Sequence, residues 1–518
     1  MGTILIWMTA ALILGQIFRT LSLPVIVGFI ASGYLFNIVD FADQQGLLEI
    51  PSEVGIELLL FSIGLKIRPS YFLNSDLIIV FLLHSLMVGA SYFFLIDLEV
   101  DRGMKIFLCI ALTFSSTIIA SKSLESRKEL TTFHGRLAII FLIFQDILAL
   151  LLLLYSTTGN ISAQAFYLLI LPLSLPIIKR ILSSLRSSEE LELIGSIVIA
   201  LFVGAFLFKT AGLTGEIGAL TMGILLSSHE ASERLSKKIW SLREILLLAF
   251  FISLGMKLTI DMQIIQFSLM ILTVLILKSM GLFILLTAFK LRAYTAFLVT
   301  ISLSTYSEFL LILTSAWDKA NLVSEEIFAV SVCTVCLSFI LGSTLNKYAH
   351  ELYVLCEKFL VRFERSKHHP DEQPHTCGDA SVMIVGMGKI GNAIFENLQN
   401  NFVKVVGFDA DMDCVKNHLF SGKRVTFADV EDPSFWSQLR FGKLTTIVLA
   451  LPGFHAQNWS VLQARKFGFN GQIIVPTRSE DDEKQLKLSG ADHTYDPYKA
   501  TALGVTDVLL EKGLSLQD

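Results

Sequence analysis

The chain has 518 residues, 53% of them hydrophobic and 17% charged, with a mean hydropathy of +0.64 and a formal net charge of −5. This composition excludes an ordinary soluble globular protein, and with no basic patch it gives no reason to expect nucleic acid as a partner. Apolar runs dominate to about residue 345 and a mixed-charge composition follows, so a transmembrane domain (1–346), a linker (347–380) and a soluble domain (381–518) are expected.

In chain order, apolar runs of about 15–22 residues predict about thirteen membrane spans: 3–20, 23–37, 53–67, 76–97, 104–122, 136–156, 163–182, 192–210, 213–228, 243–258, 263–288, 294–316 and 326–346. The first residues lack the basic stretch and cleavage site of a signal peptide, so the first span is expected to be retained. Pro172 and Pro176 are expected to break the seventh span.

One alternate set of loops carries the basic residues: Lys66 and Arg68; Lys122, Arg127, Lys128 and Arg136; Lys179, Arg180 and Arg186; Arg234, Lys237, Lys238 and Arg243; Lys290 and Arg292. The positive-inside rule makes that set cytoplasmic. The N-terminus is then outside and an odd number of spans delivers the soluble domain to the cytoplasm, as a multi-pass protein of the inner membrane.

Two stretches recur at an offset of about 190 residues. FSIGLKI at 61–67 returns as FISLGMKL at 251–258, setting Gly64 against Gly255, and VGFIASG at 27–33 returns as IGALTMG at 217–223. Seven spans separate the copies, so they cross the membrane in opposite directions, the inverted-repeat plan of secondary transporters. The repeat also relates two hydroxyl clusters. Ser115, Ser116 and Thr117 lie in the fifth span, and Ser304 and Thr305 lie at the corresponding place in the twelfth. Such hydroxyls can satisfy backbone freed by a broken helix, and their oxygens suit a hard monovalent cation. Close helix packing by Ser and Thr is the other reading, and both stand open on the sequence.

Asp146 sits near the middle of an apolar run, FLIFQDILAL at 141–150, with Gln145 beside it. A carboxylate at the membrane midplane costs at least about 2.5–3.5 kcal/mol, which marks an ion site or proton relay. Gln145 can offer a neutral carbonyl oxygen. Lys278, the clearest cation within a span, is the expected charge partner of Asp146, and Glu308 is a second candidate for that charge network.

These residues resemble the second cation:proton antiporter family, and within it the Kef-type potassium/proton antiporters. The matching stretches are SSTIIASKSLE at 115–125, HGR at 134–136, FQDI at 144–147, FFISLGM at 250–256 and SEF at 307–309. The resemblance implies an α-helical, sodium/proton-antiporter-like membrane fold and a homodimer with a scaffold and a mobile core. It also implies that the broken fifth and twelfth helices cross beside Asp146, which binds cation and proton in turn. Sodium-selective members commonly carry two adjacent aspartates here, so Gln145 in the first place points to K⁺. An ancillary regulatory subunit is left open.

The soluble domain reads as a Rossmann-like α/β unit. A buried strand (381–385) runs into Gly386, Gly388, Lys389, Ile390 and Gly391 and then a helix, and a second strand (404–408) ends in Asp409. In that order the glycines admit phosphates to a helix N-terminus and Asp409 can accept from ribose hydroxyls. A third strand (424–427) is followed by Asp429, placed for the adenine side. This tail resembles the TrkA-type domain that regulates potassium conductance, which implies control by an adenine nucleotide, NAD(H) or AMP. The chain is expected to be a transporter and not an enzyme. A Na⁺/H⁺ antiporter of the same fold and a nucleotide-gated potassium channel are the competing readings, though no TVGYG-like filter is present.

Overall fold

A computed structural model describes residues 2–41, 46–66, 75–96, 100–127, 129–130, 132–157, 171–185, 188–229, 232–365, 377–431, 435–436, 439–477 and 479–511. The chain divides into two compact units. The first comprises Met1–Arg127, Leu137–Phe289 and Ala296–Phe363; the second comprises Lys128–Arg136, Lys290–Thr295 and Glu364–Asp518.

The first unit is helical throughout. Its helices are α1 (Gly2–Thr20), α2 (Val25–Ile38), α3 (Glu49–Lys66), α4 (Ser75–Leu95), α5 (Arg102–Ala111), α6 (Thr117–Ser126), α7 (Phe133–Thr157), α8 (Leu171–Ser184) and α9 (Glu189–Val198). A π-helical stretch, Ile199–Phe206, joins α9 to α10 (Leu207–Thr210). Then come α11 (Gly215–Leu226), α12 (Ser232–Met256), α13 (Met262–Ala288), α14 (Ala293–Ser302), α15 (Glu308–Lys319), α16 (Glu325–Lys347) and α17 (Ala349–Leu360). Among the described residues, seven of these helices are long and apolar enough to cross a membrane. The α8 helix runs through Pro176 rather than breaking there, and Pro172 lies in its first turn, where a missing N–H costs nothing. The first part of the predicted seventh span and Arg68 lie outside the described residues.

Both expected helix breaks are present. Residues 112–116 separate α5 from α6, and residues 303–307 separate α14 from α15. The second pair repeats the first at a shift of 191 residues: 102 becomes 293, 111 becomes 302 and 117 becomes 308. Each second half-helix starts on a serine whose hydroxyl accepts from its own first turn, Ser116 from the amide of Ile119 at 3.2 Å and Ser307 from that of Phe309 at 3.1 Å. Ser116 and Ser307 are themselves related by the same shift. Such N-caps satisfy amides that the helix leaves unbonded and mark where it restarts.

The repeat appears again in packing. A side chain on Gly33 would strike Ile252 and Gly255, and one on Gly64 would strike Leu220 and Gly223. A shift of 190 takes Gly33 to Gly223 and one of 191 takes Gly64 to Gly255, so the α2–α12 contact and the α3–α11 contact are copies of one another. Without a hydrophobic effect between helices in lipid, small residues that let backbones meet are what such contacts require.

Within the second unit, six parallel strands form one sheet: β1 (Val382–Val385), β2 (Val405–Asp409), β3 (Val425–Phe427), β4 (Thr446–Leu449), β5 (Gln472–Pro476) and β6 (His493–Tyr495). Their order is β3-β2-β1-β4-β5-β6, the doubly wound arrangement. Helices α18 (Lys389–Asn400), α19 (Met412–Phe420), α20 (Phe454–Lys466) and α21 (Glu480–Ser489) lie in the connections after β1, β2, β4 and β5, and α22 (Pro497–Glu511) follows β6. Strands β1, β4 and β5 bury nearly continuous Val, Ile and Leu, as a sheet covered on both faces demands.

Candidate functional site

The two breaks meet. The Ser115 hydroxyl donates to the Leu303 carbonyl at 2.8 Å, and the Ser116 amide donates to Thr305 Oγ1 at 3.1 Å. Gln145 on α7 spans the first break: its Oε1 accepts from the Ser115 amide at 2.8 Å and its Nε2 donates to the Thr113 carbonyl at 3.4 Å. The Tyr306 amide in the second break donates to Ser338 on α16 at 3.0 Å. Backbone freed by unwinding in a membrane must find such partners, because no bulk water is there to supply them.

The charges follow the half-helix dipoles. Lys278 of α13, 2% exposed, donates to the carbonyls of Phe114 at 2.8 Å and Thr305 at 2.9 Å. Phe114 and Thr305 are one more pair at the 191-residue shift. One ammonium therefore serves the negative ends of both first half-helices. Its nitrogen also lies 5.3 Å from the centre of the Tyr306 ring. Glu308, equally buried, opens α15 at a positive end, where its carboxylate meets the Ser116 hydroxyl and the amides of Ile118 and Glu308 itself. Its Oε2 has no hydrogen-bond partner among the described residues.

Asp146 is 3% exposed on α7. The Thr117 hydroxyl, on the first residue of α6, reaches its two oxygens at 3.1 and 3.2 Å. The carboxylate is thus held at the second positive half-helix end, where a negative group is stabilised and a monovalent cation can be met.

This geometry differs from the sequence expectation in three places. Lys278, expected to pair with Asp146, directs its hydrogen bonds to the two carbonyls instead. Gln145, expected as an ion ligand, is engaged in pinning the break. Ser115, Ser116, Ser304 and Thr305 likewise bond backbone groups of the crossing, Ser304 to the Ile301 carbonyl at 2.6 Å. Of the expected ligands, Thr117 is bonded to Asp146. Sequence reasoning also missed Tyr92, whose hydroxyl lies 2.6 Å from that of Tyr306, which in turn donates to the Ile271 carbonyl at 2.8 Å. The signal for Tyr306 was its place directly after Ser304 and Thr305; Tyr92 had none.

In the second unit the glycine loop takes the expected form. Gly386 has φ +87°, a side chain on Gly391 would strike the Gly386 carbonyl, and one on Gly388 would meet open space. The first allows the tight turn, and the last leaves room for a phosphate before α18, whose first turn no side chain caps. Lys389 and Ile390 form that first turn and are exposed. Asp409 holds the loop: its Oδ2 accepts from the Met387 amide at 2.6 Å and the Cys414 thiol at 3.8 Å, and its Oδ1 accepts from the Asp411 amide at 2.7 Å. Asp429, just beyond β3, lies at the same carboxyl edge of the sheet and accepts from the Glu431 amide at 3.0 Å. Cys414 at the start of α19 is pushed up to about 11, first by burial and then by the Asp409 and Asp411 carboxylates.

Residues 7–348 match the transmembrane domain of sodium/hydrogen exchangers, and residues 382–497 match the TrkA-N domain. The chain is 25% identical to a putative K(+) efflux antiporter, KefB, of Alkalimonas amylolytica, over 92% of this chain and 76% of the relative. It is 26% identical to the glutathione-regulated potassium-efflux system protein KefC of Cronobacter sakazakii, over 94% of this chain and 81% of the relative. Among solved structures, the TrkA-N domain of the inner membrane protein ybaL from Escherichia coli covers 25% of this chain and 95% of its own, at 16% identity and a TM-score of 0.22. The resemblance to Kef-type antiporters is thereby borne out along both parts of the chain. The chain belongs to the sodium/hydrogen exchanger family of transmembrane proteins and carries a TrkA-N domain behind its exchanger domain.

Proposed function

We propose that this cation/proton antiporter exchanges K⁺ for H⁺ by alternating access, with Asp146 as the site where the two compete. The observation that carries the reading is a buried carboxylate held by Thr117 at the start of a half-helix, inside a crossing whose ammonium, Lys278, is already engaged by two carbonyls. A lone carboxylate of this kind takes up a cation when charged and a proton when not, which gives one-for-one exchange. Gln145 stands in place of the first of the two aspartates of sodium-type members, and the names of the potassium-efflux relatives favour the same ion. The exchange domain is 1–346, the linker 347–380 and the regulatory domain 381–518. The protein works as a homodimer in the inner membrane, with its N-terminus outside and its TrkA-N domain in the cytoplasm. Gly386, Gly388, Lys389, Ile390, Gly391, Asp409 and Asp429 hold an adenine nucleotide that regulates exchange.

The test is purified protein in liposomes, with lumenal pH followed as K⁺ or Na⁺ is added. K⁺ should move protons in the wild type and not in Asp146→Asn. Residual K⁺-driven proton flux in that variant overturns the site. Equal responses to Na⁺ and K⁺ overturn the choice of ion, and salt current without proton movement favours a channel.

A further inference from the structure

The second unit holds more than the TrkA-N fold: residues 128–136, the end of the link from α6 and the first turn of α7, belong to it. His134 is the hub of that segment. Its Nε2 lies 3.0 Å from Glu129 Oε2 and 3.2 Å from the Thr132 hydroxyl. Its Nδ1 lies 3.6 Å from Asp429 Oδ2, and its ring packs edge-on against Tyr294 at 6.1 Å between centroids. The neighbouring Phe133 ring meets Phe427 of β3 edge to face at 6.1 Å. The segment is tightly wound. The Gly135 amide donates to Thr132 Oγ1 at 3.2 Å, and a side chain on Gly135 would strike the Glu129 carbonyl.

Asp429 is thus shared between two tasks. It stands at the carboxyl edge of the sheet, where a doubly wound fold receives its nucleotide, and it faces an imidazole of the antiporter's own α6–α7 segment. The contact at 3.6 Å is within ion-pair range but longer than a hydrogen bond, and 16% of the Asp429 side chain is exposed where that of His134 is 2% exposed. A ligand hydroxyl or amino group can therefore compete for this carboxylate at small cost. The consequence reaches the ion site along the chain. The segment follows α6, whose first residue Thr117 bonds Asp146, and it leads into α7, which carries Asp146.

Building on the nucleotide reading above, we propose that Asp429 is a relay: nucleotide bound at the edge of β3 draws Asp429 from His134 and loosens the α6–α7 segment, changing the rate of exchange. His134 is a positioning residue in this scheme, touching neither ion nor nucleotide.

The experiment uses the full chain in liposomes, with NADH, NAD⁺ and AMP as probes. Binding is measured by calorimetry, and exchange with and without each probe is expressed as a ratio. Wild type should bind a probe and show a ratio different from one; His134→Gln should bind it with unchanged affinity and show a ratio of one. A wild-type ratio in His134→Gln overturns the relay while leaving nucleotide binding in place. If the wild type binds none of the probes, the nucleotide reading fails, and the relay with it. Hydrogen–deuterium exchange on the wild type gives a readout free of any variant: amides of 129–136 should exchange faster when the probe is bound, and unchanged protection counts against the proposal.

Discussion

Phe114 and Thr305, 191 residues apart in the chain, bring their carbonyl oxygens to within 2.8 and 2.9 Å of one ammonium, that of Lys278. They are equivalent residues of the two halves, each lying in a break three residues past the end of a first half-helix. A single positive charge thereby closes both negative ends.

The first prediction follows directly. Replacing Lys278 by Ala leaves two buried carbonyls without donors, at a cost of about 1–3 kcal/mol each. The variant should show a clearly lowered melting temperature in detergent, and a wild-type value would mean that water replaces the ammonium without loss.

The paired glycine contacts predict a symmetric penalty. Gly33→Val and Gly64→Val each force a side chain into the backbone of the facing helix. Overpacking of this kind costs about 1–3 kcal/mol, and the two variants should lose similar stability because their surroundings are copies. Thermal denaturation of the two in parallel checks it; a loss at one position only would speak against the equivalence.

Thr117 orients the carboxylate of Asp146. A hydrogen bond to a charged group contributes about 1.5–3 kcal/mol, so Thr117→Val should weaken apparent K⁺ affinity by roughly 10- to 150-fold. Thr117→Ser keeps the hydroxyl and should stay near wild type. Both are read from K⁺ titrations of the liposome exchange assay, and equal behaviour of Val and Ser would show that the hydroxyl is dispensable.

Cys414 bears on the nucleotide loop through its contact with the Met387 carbonyl at 3.5 Å. With its thiol pushed up to about 11, only about 0.03% is thiolate at pH 7.5. Alkylation of Cys414, followed by peptide mass spectrometry, should be slow at neutral pH and should rise about tenfold per pH unit up to about pH 10. A rate that levels off near pH 8 would mean the thiol is not suppressed.

Much of the fold was legible because its signals are local. The glycine and hydroxyl repeats, the apolar runs and the strand–glycine–helix order each follow from short stretches, and both helix breaks fell where clustered serines announced them. The partners within the site were less legible. Lys278 was rightly singled out as a buried cation, but which group it meets depends on two carbonyls, and every residue has a carbonyl. Gln145 was read for its side-chain chemistry, whereas its role was set by an unbonded amide at Ser115 that exists only because the helix is broken there. The contact between His134 and Asp429 joins residues 295 positions apart, with no pattern in the sequence to relate them.

The shift of 190–191 residues also says which contacts distinguish the two halves. Exchanging their conformations would return Gly33–Gly255 as Gly223–Gly64, a contact already present, and would return the two carbonyls on Lys278 as each other. Thr117–Asp146 has no such counterpart, for the shift takes Thr117 to Glu308 and Asp146 to Leu337. A protein that moves by trading the shapes of its halves would keep every contact that has a twin. The bond from Thr117 to Asp146 has none, so such a trade would unmake it.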